Sequence, residues 1–414
     1  MSCAEPESPP FPYWVNKQFI ESVLNNGNEG TALTVKIFES DSASKRGMSF
    51  SSDVIRIVAA VRPGESDAYE KRSFVLKYME IDWEREDVPK DFQTETMALD
   101  EVIPEVHKLL RSVEGEAFQP VAPLCHVAGS TPFPFLAIED LSPAGFTTAD
   151  AALPLDYEQC AAVVRAYARL HAASARVLKD RPHYKTVFDP KDTMNEGLQE
   201  YYKQFSDHLF KAAARQLRAH SGFESYAQKY ERLAEKFTND FFNYWRSTEV
   251  RLPVILHGDC WKYNYMFANV GGNNIDVRLI DFQGSKVHSE AADLLHFLYR
   301  NASVEVHRDH LDTLLADYHG TLVALLRQLD MAAEADSYPL QALVDDVQAG
   351  GACGVYYSAL SLMSLTSHSH TSEWGKFFQI ADGSASLMED VFRNPHYVSC
   401  LKYLAPVFDR KGLL

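Results

Sequence analysis

The apolar run Val254-Ile255-Leu256 is short and bounded by polar residues, the mark of a buried strand. A second run, Tyr265-Met266-Phe267, leads to the turn formers Gly271, Gly272, Asn273 and Asn274. Apolar and polar residues then alternate from Ile275 to Ile280. That order predicts a hairpin. Upstream, Phe74-Val75-Leu76 and Phe135-Leu136-Ala137-Ile138 read as strands, and the stretch from Phe92 through Leu110 reads as helical. Asp156 with Gln159 resembles a capping box, and Cys160, Val163, Val164, Tyr167, Leu170 and His171 follow at helical spacing. His171 lies on that apolar side and reads as a structural histidine. Residues 195 to 247 carry many aromatic side chains in a mainly helical pattern, and further helices are expected near 304–331 and 339–368. The whole reads as strands and short helices to about residue 140, then mainly helices, an α+β class with no internal repeat or long linker.

Length and composition allow two cores: 414 residues, 46% hydrophobic and 23% charged. No apolar run approaches the roughly 20 residues that cross a bilayer. The first dozen residues are acidic and Pro-rich, unlike a secretory signal or a basic transit peptide, so a loose tail on a cytoplasmic protein is expected. The six cysteines are scattered with no C-x-x-C pair, which removes a zinc knuckle and a redox motif and favours reduced thiols. A formal net charge of −17 argues against nucleic acid as a partner and admits a neutral or cationic small molecule. No protein partner is evident.

Candidate chemistry gathers around the predicted hairpin. His257-Gly258-Asp259 follows the first strand, Asn264 comes five residues after Asp259, and Ile280-Asp281-Phe282-Gln283 ends the returning strand. The hairpin should bring Asp281 beside Asn264. Phosphoryl transfer needs a proton acceptor beside the attacking hydroxyl and oxygen ligands for magnesium, which Asp259, Asn264 and Asp281 can supply. Each alone could equally be a turn former or helix cap; the joint spacing carries the inference. His257 is expected to orient the loop rather than exchange protons, because Asp259 already holds the acceptor position. Asp293 heads an apolar helix, and by its likeness to counterparts in related folds it is expected to brace the loop's backbone.

With these motifs the chain resembles the kinase-like small-molecule phosphotransferases of the aminoglycoside phosphotransferase and choline kinase superfamily, which carry His-Gly-Asp at this point. More narrowly, Trp261, the ending Ile280-Asp281-Phe282-Gln283, the segment Ala292-Asp293-Leu294-Leu295-His296-Phe297-Leu298 and the opening Pro12-Tyr13-Trp14-Val15 resemble the insect ecdysteroid kinase-like proteins.

The resemblance implies a bilobal protein kinase-like fold: a tail over 1–12, an N-terminal nucleotide-binding lobe with an antiparallel sheet over 13–140, and a larger, mainly helical catalytic and acceptor-binding lobe over 141–414. It implies ATP and Mg2+ as cofactors, with Lys77 on the nucleotide's phosphates and Glu95 steadying Lys77. Glu139, Asp140 and Leu141 would form the hinge that recognises adenine, although a strand-to-turn exit fits these residues almost as well. No G-x-G-x-x-G precedes Lys77 and no Walker A motif occurs, so Arg46 to Ser52, with Gly47 and Ser49, is the candidate phosphate loop. Gln283 stands where protein kinases have glycine, which argues for a constitutively assembled site. The aromatic helices of 195–247 would build the acceptor pocket. An ecdysteroid alcohol leads as acceptor; detoxification of plant or xenobiotic hydroxyl compounds, and a nucleotide- or steroid-binding pseudokinase, remain open.

Overall fold

The computed structural model describes residues 12–26, 30–42, 52–64, 66, 68–81, 87–192, 196–271, 274–361 and 393–414. The chain divides into two compact units, Met1–Pro104 with Pro123–Pro143, and Glu105–Ala122 with Ala144–Leu414.

The first unit opens with α1 (Lys17–Asn25), whose N-cap Asn16 accepts from the Phe19 amide at 3.1 Å. Five strands follow, β1 (Leu33–Ser42), β2 (Asp53–Pro63), β3 (Glu70–Tyr78), β4 (Cys125–Gly129) and β5 (Phe135–Glu139), in the antiparallel order β1-β2-β3-β5-β4. Side chains alternate across a strand, so β3 turns Phe74, Leu76 and Tyr78 into the core and leaves Lys77 on the other face. Trp14, Ile20, Val35 and Ile57 complete that core. The stretch expected as one helix from Phe92 is α2 (Lys90–Met97), a π turn over Ala98–Val102, and α3 (Ile103–Glu114). Pro104 follows the π turn and has no N–H for the carbonyl four residues back, which favours a wider turn at this point.

The second unit is mainly helical. After the short β6 (Thr147–Thr148), α4 (Tyr157–Asp180) starts at the expected capping box: Asp156 accepts from the Gln159 amide at 2.9 Å, and the Gln159 side chain accepts from the Asp156 amide at 3.2 Å. Next come α5 (Tyr184–Val187), α6 (Glu196–Arg218), α7 (Glu224–Glu231) and α8 (Leu233–Arg246). The strands β7 (Pro253–Ile255), β8 (Tyr265–Asn269), β9 (Ile275–Leu279) and β10 (Val287–Ser289) then form two small sheets. In these, β7 pairs with β10, and the β8–β9 hairpin takes β6 on its other edge. The unit closes with α9 (Ala291–Asn301), α10 (Leu311–Gln328), α11 (Ala332–Asp336), α12 (Leu340–Ala349), α13 (Gly351–Leu360) and α14 (Pro395–Arg410). Buried α4 packs against α10 and β7. The helix expected over 339–368 divides at Gly350, and its end lies outside the described residues. The architecture is α+β, with an antiparallel sheet in the N-terminal region and helices after it. Among the described residues no helix is long and apolar enough to cross a membrane.

Candidate active site

The loop after β7 is fixed from behind by α9. Asp293, buried in the first turn of that helix, accepts from the amides of His257 at 2.7 Å and Gly258 at 3.0 Å. It also accepts from His171 Nε2 at 3.1 Å and from the Cys260 thiol at 3.1 Å. Burial alone would raise its carboxyl, but the His171 hydrogen bond and the neighbouring imidazoles outweigh it and hold the pKa at about 2. Both nitrogens of His257 are engaged. Nε2 donates to the Ile280 carbonyl at 2.9 Å, and Nδ1 faces the Asp259 amide at 3.3 Å. A neutral imidazole has one donor and one acceptor, and both serve the backbone here, so this histidine orients the loop.

Asp259 stands half-buried at the loop's turn. Its Oδ2 accepts from Asn264 Nδ2 at 3.0 Å and, more weakly, from Gln283 Nε2 at 3.4 Å. Among the described residues its Oδ1 accepts no hydrogen bond. Burial raises the Asp259 pKa, the charge of Asp281 raises it further, and the charge of Arg300 pulls it back. The amide of Asn264 also donates to the Asp259 carbonyl at 3.0 Å. Both of its contacts are acceptors, so Nδ2 is assigned to them. The β8–β9 register pairs Tyr265 with Leu279, and the Ile280 amide donates to the Asn264 carbonyl at 3.0 Å. The hairpin thus brings Asp281 next to Asn264, as its alternation predicted.

Two glycines explain how the loops fit. Gly258 has φ +82°, and a Cβ there would collide with the Gly284 carbonyl. A Cβ on Gly284 would sit 2.7 Å from the Gly258 carbonyl carbon. The loop carrying Asp259 and the loop carrying Asp281 therefore meet backbone to backbone, which only glycine allows. Phe282 packs its ring against His257, with centroids 4.7 Å apart.

In the first unit Lys77 Nζ lies 2.6 Å from Glu95 Oε1, in a pair that is mostly buried. The side chains of the expected hinge serve the fold. Asp140 Oδ2 accepts from Arg56 at 2.7 Å and from Ser73 at 2.6 Å, and its Oδ1 accepts from the Ser142 amide. Burial opposes ionisation of Asp140, but these bonds prevail and lower its pKa. The Glu139 amide donates to the Leu124 carbonyl at 2.8 Å, and its carboxylate accepts from the Leu124 amide. That N–H is therefore committed to the fold, and Leu141 is buried. Gly47 and Ser49 lie outside the described residues.

The aromatic helices pack largely on themselves. Phe210, Phe237, Phe241 and Phe242 are buried, whereas Tyr201, Tyr202 and Phe205 on α6 keep some exposure. Two residues near the site escaped the sequence reading. Lys262 is buried, and its ammonium donates to the carbonyls of Asp150, Ala151 and Leu153 at 3.0, 2.7 and 3.0 Å. Burial lowers its pKa to about 8, so it stays protonated at neutral pH and all three of its protons are accepted. Arg300 is the other, and its signal was a lone arginine ending the apolar run of α9. Among the described residues no group of three or more His, Cys, Asp or Glu is placed to hold a metal.

The second unit gathers Asp259, Asn264 and Asp281 around one hairpin, and the first unit holds the Lys77–Glu95 pair. Residues 46–331 match the model of the ecdysteroid kinase-like family, and the chain belongs to that small-molecule kinase-like family. Similar solved structures include Plasmodium vivax ethanolamine kinase, at 10% identity, covering 90% of this chain and 83% of that one, with TM-score 0.35. Choline kinase LicA from Streptococcus pneumoniae is 11% identical, with coverage of 84% and 98% and TM-score 0.34. The GDP and kanamycin complex of APH(2")-IIia is 12% identical, with coverage of 92% and 100% and TM-score 0.41. Membership of the family rests on the match over residues 46–331. No curated protein matches this chain.

Proposed function

We propose that this chain transfers the γ-phosphoryl group of ATP to a hydroxyl of a small, largely apolar molecule, with an ecdysteroid alcohol as the leading acceptor. The observation that carries the reading is the state of Asp259: one carboxylate oxygen is pinned by Asn264 and Gln283, and the other is uncommitted among the described residues. Oδ1 would accept the acceptor's hydroxyl proton and orient its oxygen for attack. Lys77, steadied by Glu95, would hold the phosphates. Asn264 Oδ1 and the Asp281 carboxylate are hard oxygen donors that would hold a magnesium ion, and the ion would neutralise phosphate charge. The chain's contribution is then positioning and charge more than covalent chemistry.

The same residues would serve a kinase that detoxifies plant or synthetic hydroxyl compounds, so the acceptor must be identified directly. Purified protein with Mg-ATP and a mixed panel of ecdysteroids, plant phenolics, glucosides and choline is analysed by mass spectrometry. An ecdysteroid gaining the mass of one phosphate, lost in Asp259→Asn, supports the leading acceptor. Phosphate on a phenolic or glucoside instead moves the function to detoxification. ATP binding without any product favours a pseudokinase.

A further inference from the structure

One buried charge in the second unit has no part in the chemistry described so far. Arg300, in the last turn of α9, is 9% exposed. Its Nη1 donates to His296 Nε2 at 2.9 Å, and its guanidinium lies over the Trp261 ring, 5.2 Å from the centroid. Its Nε is buried with no hydrogen-bond partner, and among the described residues it enters no ion pair. Native structures rarely leave a desolvated guanidinium donor unmet, because the group then keeps the whole cost of losing its water.

Its position ties this orphaned donor to the reaction centre. The next residue, Asn301, donates from Nδ2 to the Cys260 carbonyl at 2.7 Å, so the turn carrying Arg300 also fixes the loop carrying Asp259. Trp261, under the guanidinium, belongs to that same loop. The charge of Arg300 reaches Asp259 and the rings of Tyr202 on α6 and Tyr356 on α13. Tyr202 feels Asp259 as well. Arg300 does not act as the direct partner of Asp259, whose Oδ2 is taken by Asn264 and Gln283.

We infer that Arg300 selects the acceptor: its Nε–H holds a second oxygen of the molecule whose hydroxyl stands at Asp259. The acceptor then carries a hydroxyl, carbonyl or carboxylate oxygen near the reacting hydroxyl, and no cationic amine. This rests on the phosphotransferase reading and narrows it. The overall charge of −17 would admit a cationic acceptor, but a buried guanidinium repels one locally, where low dielectric strengthens the repulsion.

The test uses the full chain, Arg300→Met and Arg300→Lys, with folding checked by circular dichroism. The acceptors are 20-hydroxyecdysone, which has neighbouring hydroxyls, cholesterol, which has a lone hydroxyl, choline and ethanolamine. The parent is expected to phosphorylate 20-hydroxyecdysone in preference to the other three. Arg300→Met should raise the acceptor KM about tenfold or more while the KM for Mg-ATP changes little. Arg300→Lys should recover only part, since lysine keeps the charge without the planar donor fork. A merely structural role would move both KM values and kcat together. Choline or ethanolamine turned over as well as the diol, or an unchanged acceptor KM in folded Arg300→Met, overturns the inference. If the parent phosphorylates nothing, the phosphotransferase reading fails by itself, and calorimetric binding of 20-hydroxyecdysone without nucleotide decides on Arg300. Binding weakened by Arg300→Met upholds the inference, and equal or absent binding overturns it.

Discussion

Asp281 adopts φ 66° and ψ 75°, the left-handed region that costs a non-glycine residue about 1 kcal/mol or more. Buried Phe282 against His257, and the glycine contact one residue beyond Gln283, hold the chain there. The local sequence Asp-Phe-Gln gives no sign of this conformation, because what enforces it comes from residues 257 and 258. The same contact makes Gly284 an exacting position. Gly284→Ala would place its Cβ 2.7 Å from backbone that cannot yield as a side chain could, displacing the loops relative to one another. A displacement of about 1 Å costs roughly a hundredfold in rate, so kcat of Gly284→Ala should fall by that order in a protein that still unfolds cooperatively. Unchanged turnover would show that the two loops need not touch. Asp259, Asn264 and Asp281 could be picked out together because a local hairpin joins them. Lys262 could not, since its three acceptors lie more than a hundred residues earlier.

Among the elements, α9 bears the most on the site, because Asp293 near its start and Asn301 at its end both hold the loop of Asp259. Its N-cap, Glu290, is fully buried. The Tyr338 hydroxyl lies within hydrogen-bond reach of Glu290 Oε1 and, at 2.9 Å, of Asp346 Oδ2, and Asp346 also pairs with Arg251. The tyrosine hydroxyl is the donor toward both carboxylates. Burial, reinforced by Asp346 and opposed by the Tyr338 hydrogen bond, raises Glu290 from 4.5 to about 7. A folded pKa above the unfolded one means that the folded state binds more protons. The stabilisation is therefore complete below about pH 4.5 and is lost as pH rises through about 7, a change of order 3 kcal/mol. Urea unfolding across that range should show stability declining in the parent, with a flatter profile in Glu290→Gln, which keeps an acceptor oxygen for Tyr338 without titrating. Equal slopes in the two proteins would remove Glu290 from the account. An apolar run marked α9 and the capping box of α4 disclosed its start, whereas the π turn before Pro104 and the break at Gly350 were hidden by patterns that continue through them.

At the scale of the whole chain, the split between a strand-rich first part and a helical second part was legible from the change of period near residue 140. The units are less simply divided, because Glu105–Ala122 belongs with the second one. That segment is tied in by long-range bonds, such as the Leu279 amide to the Val121 carbonyl at 2.8 Å, which no local pattern foretells. Membership of the ecdysteroid kinase-like family rests on residues 46–331, and the proposed chemistry rests on Asp259 within them. The most direct measurement is transfer of the terminal phosphate of radiolabelled ATP to 20-hydroxyecdysone by the parent and by Asp259→Asn, with Mg-ATP affinity measured in both. The account predicts a labelled steroid in the parent, a rate lower by about 10²- to 10⁴-fold in the variant, and nearly equal ATP affinity. Equal transfer by both proteins, or tight ATP binding with no label reaching this or any other hydroxyl acceptor, would contradict it.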